Sequence, residues 1–172
     1  VQDEAGQLWF GTQGGLHRYD GSRILHFGVR DSLSSHLITA LQPDGSGGLW
    51  LGSDKGLTHI VGDSLTHLTT ADGLLDDEVQ ALLSDPDGGL WVGTNGGLTY
   101  VRDGQFRNFT AADGLGNNTA WALAQDGQGG LWVGTRGGGL THFNGQTFTT
   151  YQVADGLAGN DIRALHFDAA GT

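Results

Sequence analysis

The side chains with chemical reach are few: seven histidines, five tryptophans, eight basic and nineteen acidic residues, with no cysteine and no methionine. Without cysteine there is no disulfide, no thiolate zinc site and no thiol nucleophile. The histidines are scattered; His59 and His142 hold one repeat position where Arg18 and Tyr100 stand in other copies, so a shared metal is not expected. Asp85 and Asp87 alternate like calcium-loop ligands, yet no other copy has both carboxylates and no bidentate glutamate follows. The aspartates at Asp44, Asp85, Asp126 and Asp168 read instead as formers of hairpin turns. The strings Gly14-Gly15, Gly96-Gly97 and Gly137-Gly138-Gly139 lack the helix and lysine of a phosphate loop. No cofactor, metal or catalytic set is expected, since no Ser-His-Asp trio or paired-carboxylate cleft stands out.

Copy-specific variation points to binding instead. An apolar frame recurs as Ala40-Leu41, Ala81-Leu82, Ala122-Leu123 and Ala164-Leu165, and the residue before it changes freely: Thr39, Gln80, Trp121, Arg163. Two residues before each strand's first apolar position stand His36, Asp77, Asn118 and Asn160. These eight are the candidate ligand-binding residues, with Trp121 and Arg163 foremost. Repeated residues build a scaffold, whereas polar and aromatic residues that differ between copies make an asymmetric pocket. An indole beside a guanidinium suits a sugar ring or a carboxylated ligand. The structural alternative is that the position tolerates any residue.

These positions need elements to hold them, and the chain supplies a repeat. Leu-Trp-x-Gly-Thr/Ser stands at 8–12, 49–53, 90–94 and 131–135, every 41 residues. Each unit reads as four short strands with glycine turns. In the third unit they are 79–83, 90–94, 98–101 and 106–110. Four antiparallel strands per unit make one blade of an all-β propeller, spanning 1–172 as a single domain or propeller section. The recurring Trp9, Trp50, Trp91 and Trp132 are expected to pack between blades. Val1–Gln7 aligns with His166–Thr172, so the first unit lacks its first strand and 162–168 is a spare one. Three closures satisfy the open edges: a four-blade ring, an eight-blade ring of two exchanging chains, or a section of a larger propeller.

The formal charge of −11 repels nucleic acid and anionic membrane, leaving a small molecule, a glycan or a protein on the loop face as partner. The apolar runs are far too short to span a membrane. The lack of methionine, even at position 1, points to a segment or processed form of a longer protein.

Ala-Asp-Gly-Leu (112–115 and 154–157), the apolar-x-Ala-Leu strand, and the Leu-Trp-x-Gly-Thr box with Gly-Gly-Leu following resemble the two-component regulator propeller repeat. The resemblance covers essentially all of the chain. It implies the sensor region of a bacterial hybrid histidine kinase, extracytoplasmic and non-enzymatic, in a ring of more than four blades. The alternatives are a propeller lyase or hydrolase with an axial site, and a repeat array with only a structural role.

Overall fold

The computed structural model describes residues 1–167. Asp168, the end of the expected spare strand and one of the expected turn aspartates, lies outside the described residues. Among the described residues four antiparallel sheets follow one another along the chain. The first blade has three strands, β1 (Leu8–Thr12), β2 (Gly15–Tyr19) and β3 (Ile24–Phe27). The second has β4 (Ile38–Pro43), β5 (Leu49–Ser53), β6 (Gly56–Val61) and β7 (Ser64–Leu68). The third has β8 (Val79–Ser84), β9 (Leu90–Thr94), β10 (Leu98–Arg102) and β11 (Gln105–Phe109). The fourth has β12 (Ala120–Gln125), β13 (Leu131–Thr135), β14 (Gly139–Phe143) and β15 (Phe148–Tyr151).

Within each blade neighbours in sequence are neighbours in the sheet, because each tight turn reverses the chain onto itself. Between blades, β1 contacts β4, β4 contacts β8 and β8 contacts β12. The second strands β5 and β9 also contact the inner strands β8 and β12 of the next blade, so closely that the box glycine is obligatory. A Cβ on Gly52 would lie 2.5 Å from Val79 Cγ1, and one on Gly93 would lie 2.7 Å from the Ala120 carbonyl oxygen. The glycine of Leu-Trp-x-Gly-Thr is therefore a contact requirement between blades.

The threonine or serine after that glycine is equally structural. Thr94 Oγ1 donates to the Gly97 carbonyl at 3.0 Å and accepts from the Gly96 amide, sealing the β9–β10 hairpin at a fully buried site. Trp9, Trp50 and Trp91 pack against the next blade as expected. Trp91, 7% exposed, meets Phe143 of the next blade edge-on at 5.9 Å, in a cluster with Leu131 and Val133. The turn aspartates bind their own backbone: Asp126 Oδ1 accepts from the Gln128 and Gly130 amides, and Asp85 Oδ1 from Asp87.

Both edges of the array refine the sequence reading. Val1 and Gln2 keep the tail of the first blade's inner strand, with Val1 exchanging backbone hydrogen bonds with Trp9 at 2.8 Å and Gln2 bridging Leu8. At the other end 161–167 is not hydrogen-bonded as a regular strand. Even so, Ile162 occupies the inner-strand place of a following blade: a Cβ on Gly134 would lie 2.7 Å from Ile162 Cγ2, and the Ile162 amide donates to the Thr135 carbonyl at 3.1 Å. Among the described residues no hydrogen bond joins 161–167 to the first blade, and Leu8 is 46% exposed on its open edge.

Candidate functional site

The freely varying position of the inner strand has a structural cause. In β4, β8 and β12 the register against the second strand slips between Ile38 and Ala40, Val79 and Ala81, and Ala120 and Ala122. Thr39, Gln80 and Trp121 are thus β-bulge residues with no cross-strand partner. A bulge re-aims its side chain away from the ladder, which removes the packing constraint that fixes its neighbours. Arg163 occupies the matching position after Ile162.

The structure brings Trp121 and Arg163 together: the guanidinium carbon lies 4.9 Å from the indole centroid. A second guanidinium, that of Arg136, lies 5.7 Å from the same ring. Each such contact at an exposed site is worth about 0.5–1 kcal/mol. The β13–β14 hairpin carries Arg136 and is clamped on both flanks. Its Arg136 amide donates to the Thr119 carbonyl at 3.0 Å, its Gly137 amide to Asp161 Oδ1 at 2.7 Å, and its Gly139 amide to the Asn160 carbonyl at 2.9 Å. These bonds to the segments on either side place the hairpin that carries Arg136 beside Trp121.

Arg136 was not among the residues singled out from sequence. The signal was present: the hairpin residue after the box threonine or serine is Gln13, Asp54, Asn95 or Arg136, as copy-specific as the bulge. Gln80 Nε2 donates to Asn95 Oδ1 at 3.4 Å, so bulge and hairpin residues also meet in the third blade. Asn95 in turn donates to the Glu78 carboxylate. Thr39 Oγ1 donates to the Val79 carbonyl at 2.6 Å, joining the second blade to the third.

Three of the four loop residues also have a structural task. Asp77, Asn118 and Asn160 each accept, through Oδ1, from the amide seven residues earlier: Thr70 at 2.7 Å, Ala111 at 2.7 Å and Val153 at 2.9 Å. These oxygens close the inter-blade loop, which is why Asp and Asn interchange there. His36, the fourth member, is exposed and makes no hydrogen bond among the described residues.

The third-strand histidines pair with turn carboxylates rather than with one another. His59 Nε2 lies 2.8 Å from Asp44 Oδ2, and His142 Nε2 lies 3.2 Å from Asp126 Oδ2. Burial tends to raise both aspartates. The amides of Ser46 and Gly48 with His59, and of Gly130 and Gln128 with Trp132 and His142, outweigh that and hold them below the ordinary carboxylate value. Two clefts, of about 650 and 410 Å³, open between the second and third blades and between the first and second. Their linings include Asp44, Trp50, Trp9 and Leu33, which recur as scaffold positions, and none of the eight candidate residues.

The four blades, the bulged inner strands and the box glycines define a β-propeller. Two stretches, residues 73–96 and 114–137, match the family model of the two component regulator propeller. Among solved structures it is similar to the extracellular domain of the hybrid two component system BT3049 from B. thetaiotaomicron. The identity is 26% and the TM-score 0.86, over 99% of this chain and 25% of that one. It is also similar to the extracellular domain of BT4673 from B. thetaiotaomicron, described as a one component system, at 18% identity and TM-score 0.66, over 99% of this chain and 33% of that one. A virginiamycin B lyase from Staphylococcus aureus shares the fold at 13% identity and TM-score 0.71, over 95% of this chain and 57% of that one. The chain thus spans a quarter to a third of the first two relatives. No curated protein matches by sequence.

Proposed function

We propose that this chain is a section of the sensor propeller of a bacterial extracytoplasmic signalling protein, and that it captures its ligand, without catalysis, at the bulged ends of its inner strands. One observation carries the reading. On a scaffold that otherwise repeats, the bulge position is Thr39, Gln80, Trp121 or Arg163, and the fold gathers Trp121, Arg163 and Arg136 into one contact. The family match and the likeness to extracellular two component domains support the signalling context and the location outside the cytoplasm. The lyase likeness, at 13% identity, concerns the fold alone. The bulge positions hold no carboxylate or imidazole for acid–base work, which favours binding over turnover.

In this reading the open inner edge of the first blade and the face beyond Ile162 meet further blades, from a longer chain or a second copy. A ligand signals only by binding one arrangement of the propeller better than another. The test is a panel of mono- and oligosaccharides screened by thermal shift, with calorimetry of every hit on the wild type, Trp121→Ala and Arg163→Ala. Dissociation constants are expected to rise by roughly tenfold or more in each variant. Unchanged affinity for every hit would remove the bulge face from consideration.

A further inference from the structure

We propose that Arg136, Trp121 and Arg163 form an oxyanion site, which takes a small ligand through a carboxylate or sulfate group. The indole holds the guanidiniums in place. The inference rests on the bulge face being the place of capture and adds the chemistry of what is captured.

The chain has eight basic residues and a formal charge of −11, yet two of its arginines converge on one ring. Neither forms an ion pair among the described residues, whereas Arg23 pairs with Asp20 at 3.2 Å and Arg102 with Asp103 at 3.7 Å. Asp161, two residues before Arg163, accepts from the Gly137 amide. Each guanidinium contacts the same indole, and an anion bound beside the ring is attracted by both positive charges. The planar fork of each guanidinium matches the paired oxygens of a carboxylate or sulfate.

A neutral sugar finds less here. The hydroxyl of Thr39 and the amide of Gln80 already donate within the protein, and the indole is engaged by cations. Among the described residues the guanidiniums and the Trp121 indole N–H are the bulge-face donors without a protein acceptor, and only the guanidiniums carry charge. An overall negative surface does not gather anions by itself, so binding here would be local.

The experiment follows the Trp121 indole N–H resonance, assigned with Trp121→Phe, while the chain is titrated with glucuronate, with inorganic sulfate and with glucose at matched ionic strength. Saturable shifts with glucuronate, sulfate or both are expected, and none with glucose. A response to glucuronate alone marks a carboxylated ligand; a response to sulfate alone marks a sulfated one. Arg136→Gln and Arg163→Gln should each weaken the response roughly tenfold, with the remaining resonances unmoved because both side chains lie at the surface. If glucose shifts the resonance as strongly as glucuronate, or if the glutamine variants bind the anions unchanged, the oxyanion assignment is wrong while the bulge face survives as a site. Silence from all three probes overturns the assignment as well, and the saccharide panel then decides separately on the wider reading.

Discussion

Single residues carry the inter-blade contacts, and small changes at them have large expected effects. Gly93 faces the Ala120 carbonyl where a methyl does not fit, so Gly93→Ala must push blades apart. A loss of about 1–3 kcal/mol is expected, read as a lower urea midpoint at unchanged slope. Ser32 offers the opposite opportunity. It sits at φ 71°, in the left-handed region where Gly114 and Gly156 end the equivalent turns at φ 108° and 111°. Ser32→Gly should therefore stabilise by about 0.5–1 kcal/mol, and a fall in urea midpoint would contradict the strain argument. Asp44 and Asp126 set an acid dependence. Their folded values lie below the unfolded one, so their contribution is full above the ordinary carboxylate range and fades as pH drops through it. Unfolding midpoints measured between neutral pH and pH 3 should fall on the acid side, and Asp126→Asn should flatten that fall.

Among the elements, the loop between blades is the one whose logic the sequence hid. Asp77, Asn118 and Asn160 vary between copies in the way a binding residue varies, but Asp and Asn present the same acceptor oxygen to the same amide. The variation was chemically conservative, and only the hydrogen bonds reveal it. Asn118→Ala should cost about 1 kcal/mol of stability while leaving ligand affinity at Trp121 untouched, which calorimetry and denaturation on one variant can separate. The bulge was hidden for a related reason. A strand pattern of period two does not announce one extra residue, so Thr39, Gln80 and Trp121 were legible as copy-specific candidate binding positions but not as bulges.

Across the molecule, burial grows from the first blade toward the third. The residues of β1 are half-buried or exposed, whereas β9 is buried throughout. A three-stranded blade with an open inner edge opens locally at lower free energy than one packed on both sides. Amide exchange should accordingly be fastest in β1–β3 and slowest in β9 and β13, and equal protection across the blades would show that the array opens only as a whole. The sequence by itself determined the blade: the 41-residue spacing, the four strands, the glycine turns and the tryptophan packing all follow from local periodicity and turn chemistry. What the tertiary structure decided is which copy-specific residues meet. Trp121 lies on an inner strand, Arg136 on a hairpin and Arg163 in the following unit, and no local pattern links them. Hydrogen bonds between the hairpin and the segments flanking it, together with the bulge that turns Trp121 out of its ladder, bring both arginines to one indole.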